Sequence, residues 1–318
     1  MIDQKYIQRG GGVILNPPLE TDAVYERVFT IGAEPAESFD WRPYRPLFET
    51  QRATFDCTCF SRTNCGEYVG VKAGIKDHNG NEINFSDLHL AVEANNTLNG
   101  NDLNNPSEAF RKKGIVLQVF CQYDNDMLDH PAGTWAKRKQ KVAAIPKDAK
   151  RYSGGNHSWV AATKAAMKDA LQYSPLQIAV GLDNSWNNKG IIPRCENPLA
   201  YHAITLEKIR KDGAYQIFDS GVPEEKILAS NYIIYQAKSF RDLPETWKII
   251  QDNKKIMKTI KKKDASEIYL IGSDNYLRHI VNMHTYQDML SAGIITPFVE
   301  VDELVYPLGR NILHYVDA

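Results

Sequence analysis

Hydrophobic positions recur at two periods along the chain, and the change from one to the other divides it. Counting from Cys57, residues Phe60, Ser61, Asn64, Tyr68 and Val71 fall at i+3, i+4, i+7, i+11 and i+14, the spacing of one helical face, so a helix begins at Cys57. Ser86 stands as N-cap of a short helix within Phe85 to Leu90, and Ser107 as N-cap of another, Glu108 to Lys113, stopped by Gly114. Ile115 to Phe120 reads as extended chain, and Trp159 to Gln172 as one more helix. Strands dominate after that. Leu176 to Leu182 alternates, and Tyr201 to Ile209 and Ala214 to Phe218 are joined by the hairpin signal Lys211-Asp212-Gly213. Polar stretches at 76–84 and 95–106 read as loops, while Gly10-Gly11-Gly12 and Pro17-Pro18 mark residues 1–38 as an irregular arm. The pattern predicts an α+β protein with a helical first half and an antiparallel, strand-rich second half.

The helical period returns near Leu243. Behind Pro244, the residues Trp247, Ile250, Met257 and Ile260 share a face, with Lys254, Lys255, Lys258, Lys261, Lys262 and Lys263 around it. This predicts a basic, solvated connecting helix over 244–263. Further on, Ile268 to Ile271 and Phe298 to Val301 are strand-like and Thr285 to Leu290 is helical, which makes 264–318 a small α/β appendage.

Composition narrows the classes. A chain of 318 residues that is 43% hydrophobic and 24% charged, with no apolar run of transmembrane length, is expected to be soluble, with one large and one small domain and no membrane insertion. A net charge of −1 gives no general attraction to nucleic acid, so no specific nucleic-acid partner is expected. Of the five cysteines, Cys57, Cys59 and Cys65 share one helix, which argues against a disulfide framework. The Cys57-x-Cys59 gap is too tight for a zinc site, and neither a metal nor a cofactor is implied. In the N-terminal arm, Val13-Ile14-Leu15 is too short for the core of an export signal, so the expected location is the cytoplasm.

The chemistry gathers at the predicted helix start. A thiol is nucleophilic as its thiolate, and a helix N-terminus favours negative charge, which singles out Cys57. Six residues upstream, the Gln51 amide can donate to an oxyanion together with the backbone N–H of Cys57. Gln51, Cys57 and Phe60-Ser61 in this register, after Phe39-Asp40-Trp41-Arg42, resemble the nucleophile segment and the Asp-Trp-Arg opening of papain-like cysteine proteases. Thr54 stands where that family has a disulfide-forming cysteine, and Thr58 where it has an aromatic residue.

The resemblance extends downstream. Tyr201-His202-Ala203-Ile204 is similar to the family's His-Ala-Val, and 145 residues separate His202 from Cys57, within the family's interval of about 130 to 150. Gly190-Ile191 leading to Cys195 resembles the segment before that histidine. Phe218-Asp219-Ser220-Gly221 stands where the family has Asn-Ser-Trp-Gly, without the tryptophan. The resemblance implies a two-lobed fold over 39–243, a helical lobe and an antiparallel β-barrel-like lobe meeting at a cleft. In it Cys57 attacks, His202 moves the proton, Asp219 orients the imidazole and Gln51 binds the oxyanion. The implied activity is a cysteine peptidase acting on a peptide or protein through an acyl-enzyme. Two other readings share these residues: a papain-fold structural or binding component, for example of a phage virion, with a vestigial site, and a cell-wall peptide amidase. Phage origin would make the protein virion-associated rather than cytoplasmic.

Outside that constellation, His89, His157, His279 and His284 read as surface or core residues, and Asp183 to Trp186 as a turn beside the groove with Trp186 as a wall. Tyr269-Leu270, Arg278-His279-Ile280, Thr285-Tyr286, and Glu303-Leu304 with Tyr306-Pro307-Leu308-Gly309 resemble a small repeat module of bacterial and phage surface proteins. That likeness implies an attachment role, with a protein or surface partner, for the last fifty or so residues.

Overall fold

Helix α1, Cys57–Lys72, is the element on which the rest is laid. The computed structural model describes residues 12–18, 38–77, 79–154, 156–188 and 190–240, then 248–250, 259–262, 268–271, 277–280, 287 and 299–301. The sequence spacing gives α1 one inward face, yet the helix is buried from Cys57 to Gly70. Several of its polar residues are met by protein groups, in the helix itself and beside it, rather than by water. The Ser61 hydroxyl accepts from Gln177 Nε2 at 2.8 Å, the Thr63 hydroxyl donates to the Phe60 carbonyl at 2.9 Å, and the Arg62 guanidinium lies 4.0 and 3.9 Å from the Phe110 and Phe240 ring centres.

One side of α1 carries α2 (Asp87–Glu93), α3 (Asn104–Lys113), α4 (Asn125–Asp129) and α5 (Trp135–Ala143). Ser86 caps α2 as expected, accepting from the His89 backbone N–H at 2.9 Å. The start of α3 differs: it begins at Asn104, and Ser107 lies inside it with its hydroxyl donating to the Leu103 carbonyl at 2.8 Å. The capping falls instead to Asp102, whose Oδ1 accepts from the backbone N–H groups of Asn104 and Asn105 at 2.8 and 2.7 Å. The 115–120 segment is extended only at its start, bridging Tyr152 and Phe85 through Ile115 and Leu117 before a 3-10 turn at Gln118–Phe120.

The other side of α1 faces a sheet. In chain order come β1 (Arg151–Ser153), β2 (His157–Val160), α6 (Lys164–Ala170), β3 (Leu176–Leu182), β4 (Ile191–Ile192), β5 (Ala200–Ile209), β6 (Tyr215–Asp219), β7 (Val222–Leu228), β8 (Ile234–Phe240) and β9 (Lys248–Ile250). Seven of them form a sheet in the order β2-β8-β3-β5-β6-β7-β4. Every pairing is antiparallel except that of β4 with β7. The expected strand at 176–182, and the hairpin that became β5 and β6, are present. The helix expected from Trp159 is shorter, because Trp159 and Val160 pair with Lys238 and Ala237 of β8 and the helix starts only after Thr163, whose side chain caps it.

The chain divides between Ile250 and Gln251. No helix occupies the described part of 244–263: β9 pairs with β1, and β10 (Thr259–Lys262) with β11 (Ile268–Ile271). The β-branched residues Ile249, Ile250, Thr259 and Ile260 favour that outcome over the helical spacing read across them. With β12 (Leu277–Ile280) and β13 (Val299–Val301), the second unit holds a sheet in the order β12-β11-β10-β13. The helix expected at 285–290 lies outside the described residues, apart from Gln287, as does the 306–309 motif.

Candidate active site

Cys57 is the first residue of α1, and α1 lies against β5, so its sulfur meets the start of that strand. Cys57 Sγ accepts from the Ala203 backbone N–H at 3.4 Å. The adjacent His202 is the third residue of β5, and the last residue of β6, Asp219, reaches it across the sheet: His202 Nε2 lies 2.8 Å from Asp219 Oδ1. The structure therefore brings Cys57, His202 and Asp219 together, and all three are buried.

The electrostatics of the trio are mutual. Burial by itself lowers the pKa of His202, but the Asp219 charge and hydrogen bond, with a contribution from Cys57, outweigh it and push the imidazolium up to about 9. Burial would raise Asp219, and His202 and Lys226 together hold its carboxyl below the usual range. Each oxygen of Asp219 has two donors. Oδ1 takes His202 Nε2 and the Gly221 backbone N–H at 2.9 Å, while Oδ2 takes Lys226 Nζ at 3.1 Å and Trp186 Nε1 at 3.3 Å.

Gln51 is placed beside the trio through Ser220, the neighbour of Asp219. Its backbone N–H donates to the Ser220 carbonyl at 3.1 Å, and its Oε1 accepts from the Ser220 hydroxyl at 2.7 Å. Gln51 Nε2 is buried and has no partner. The other cysteines are poor nucleophiles. Burial, reinforced by the Asp56 carboxylate, drives the Cys59 thiol well above its ordinary pKa, and burial takes Cys65 up to about 12. All five cysteines are unpaired and buried.

Some participants were not legible as such. Trp186, expected as a groove wall, is buried on a 3-10 turn (Asn184–Asn187), meets the His202 ring edge-on at 5.8 Å and donates to Asp219. Lys226 went unread because a lysine within a run of charges looks solvated; its inward turn comes from the β6–β7 register, which shifts between Ile217 and Asp219. Asp56, next to Cys57, is answered by Arg138 Nη1 at 2.8 Å, by the Tyr123 hydroxyl at 2.6 Å and by the Asn96 amide. A cavity of about 370 Å³ opens beside this cluster, lined among others by Phe55, Asp56, Asn96, Leu98, Trp135 and Arg138.

The described part of the arm lies at the same place. The Gly12 N–H donates to the Tyr201 carbonyl at 3.2 Å, the Asn101 N–H donates to the Gly12 carbonyl at 3.0 Å, and the Ile14 N–H donates to the Asn101 carbonyl at 2.9 Å. Val13 joins Cys57, Leu103, Trp159 and Ala203 in one buried apolar cluster. Gly100 admits this approach: a Cβ there would stand 2.0 Å from the Gly12 carbonyl oxygen.

The sequence matches no protein-family model and no curated protein. Solved structures, however, share the fold. Xylellain, a cysteine protease from Xylella fastidiosa, is similar over 73% of this chain and 95% of its own, with a TM-score of 0.59 at 19% identity. The cysteine protease and lectin-like domains of Cwp84, a surface layer associated protein of Clostridium difficile, match 83% of this chain and 61% of that one, at TM-score 0.58 and 13% identity. Procathepsin B S9 from Trypanosoma congolense gives 0.56 at 12% identity, over 74% of this chain and 87% of its own. The fold is that of the papain-like cysteine proteases. Among the described residues no helix is long and apolar enough to cross a membrane.

Proposed function

We propose that the chain is a cysteine peptidase that hydrolyses peptide bonds through Cys57, His202 and Asp219. The observation that carries this reading is the gathering of these groups at one place: the Cys57 sulfur against the Ala203 N–H and interacting with the His202 side chain, the His202 ring on Asp219, and Gln51 held through its Oε1 by Ser220 with its Nε2 left unpaired. Asp219 occupies Nε2 of His202, so the proton exchanged with the sulfur passes through Nδ1. The Cys57 thiolate adds to the substrate carbonyl carbon, and the carbonyl oxygen becomes an oxyanion that Gln51 Nε2 and the Cys57 backbone N–H receive. Collapse breaks the C–N bond as His202 protonates the departing amine, leaving an acyl-thioester. Water, deprotonated by His202, then adds to the thioester, releasing the carboxylic acid and returning the proton to the Cys57–His202 pair.

The full burial of Cys57 belongs to a closed resting form in which residues 12–16 of the arm lie against the nucleophile's cluster. That burial also suits a papain-fold component whose site has fallen silent, so the two readings need one decisive measurement. An epoxysuccinyl probe at neutral pH, with the modified residue located by peptide mass spectrometry, is expected to mark Cys57 in the wild type, and a peptide library is expected to be cut by the wild type but not by Cys57→Ala. Modification of Cys59 alone, or equal cleavage by both proteins, would remove Cys57 from the reaction. Residues 264–318 are proposed to serve attachment, on the strength of their resemblance to a surface-protein repeat module.

A further inference from the structure

Asp219 brings a full charge to a position where the family resemblance places a neutral amide, and the sheet supplies an answer to it. Lys226 lies on β7 across from Ile217 of β6, and the strand turns it inward while Glu224 and Glu225 remain exposed. Its Nζ lies 3.1 Å from Asp219 Oδ2 and 4.4 Å from the Trp186 ring centre, with a side chain only 10% exposed. Turning a lysine inward sacrifices rotamer freedom and hydration. Packing against Trp186 does not require the ammonium, because an apolar residue of similar length would serve. The ammonium is matched to the one carboxylate that orients His202.

The geometry points to Lys226 as a positioning residue that offsets part of the charge of Asp219, so that the aspartate–lysine pair holds the His202 proton less tightly than an unmatched aspartate would. This inference rests on the Cys57–His202–Asp219 reading given above. The working state holds a thiolate, an imidazolium, a carboxylate and an ammonium, which sum to zero. An aspartate without the lysine leaves a buried negative charge close to a sulfur that must itself become negative. An asparagine with the lysine leaves a positive charge close to a ring that must hold a proton. Only both charges, or neither, close the set. Among the described residues, the ring meets Cys57 from α1, Asp219 from β6 and the uncharged Trp186; Asp56, beside Cys57, is already matched by Arg138. Lys226 touches Asp219 and acts through it.

The test is the titration of His202 in the full chain, followed by NMR of histidine labelled with ¹³C at Cε1, with the resonance assigned by its loss in His202→Gln. Lys226→Met is expected to move the His202 midpoint to higher pH and Asp219→Asn to lower pH, each on the order of one pH unit. The double variant is expected to return close to the wild-type midpoint, and Lys226→Arg, which keeps the charge, to stay there. A lysine that only packs would leave the midpoint where it is. Coincident midpoints for wild type and Lys226→Met overturn the inference, as does a double variant as displaced as Asp219→Asn alone. Should Lys226→Met fail to fold while the double variant folds, the unmatched carboxylate is the cause and the inference stands. If both fail, the lysine is needed for packing and the inference falls. Failure of the underlying triad looks different: His202 would then ignore both Asp219→Asn and Cys57→Ala.

Discussion

Gln51 Nε2 is an amide donor held indoors with nothing to donate to, fixed there because its own Oε1 and backbone N–H are committed to Ser220. A buried, unpaired donor costs free energy in the resting protein, and in the proposed reaction that cost is recovered when a negative oxygen arrives. Gln51→Ala is therefore expected to lower turnover of a cleaved peptide by about 100- to 1,000-fold with little change in KM, since the donor acts on charge present only in the transition state. Unchanged turnover would take Gln51 out of the site. His202 makes a second residue-scale prediction. Its pKa rises from 6.5 to about 9 in the fold, so the stabilisation from its proton is complete below the unfolded value and fades as pH rises through the folded one. The urea midpoint of the wild type is expected to drop between about pH 6.5 and pH 9.5 by more than that of His202→Gln, which lacks the titrating group. Equal drops would mean that His202 does not hold its proton against Asp219.

At the scale of elements, the features legible in the sequence are those whose cause is local. Ser86 is an example: its hydroxyl accepts from the His89 N–H, caps α2 and also donates to the Cys121 carbonyl at 2.5 Å. Ser86→Ala is expected to cost about 1–2 kcal/mol in chemical unfolding while the His202 titration stays where it was; a shift in that titration would show that α2 reaches the site. The start of α1 and the β5–β6 hairpin were readable for the same reason, since cap, period and turn residues lie within a few positions of one another. Trp159 was not readable, because its strand is made by β8, where Lys238 pairs with it and sets its ammonium 4.5 Å from the indole centre. Nothing in the residues adjacent to Trp159 carries that information. In the site, Cys57, His202, Asp219 and Gln51 stood out through family spacing, whereas Lys226 and Trp186 are defined by a strand register and a turn that only the assembled sheet supplies.

Across the first unit as a whole, the proposed trio is shut away from solvent, since Cys57, His202 and Asp219 are all buried. The described part of the arm, residues 12–18, is a segment whose displacement should disturb the site little, because among the described residues its contacts there are three backbone hydrogen bonds around Gly12 and Ile14 and the apolar side chains Val13 and Leu15. Each is replaceable by water or by another extended peptide, whereas α1 and β5 are locked in the core. A carboxylate at position 13 cannot remain in a cluster with Cys57, Leu103, Trp159 and Ala203, for burying an unpaired charge there costs several kcal/mol. Val13→Asp is therefore expected to displace the arm while the trio keeps its geometry, and the rate of iodoacetamide modification at Cys57 is expected to rise by about tenfold or more, a factor equivalent to 1.4 kcal/mol of opening. The His202 titration, measured on the same variant, should be little changed, which separates an opened site from a collapsed one. A Cys57 that reacts no faster in Val13→Asp would show that residues 12–16 do not close the site and that the cover lies elsewhere in the chain.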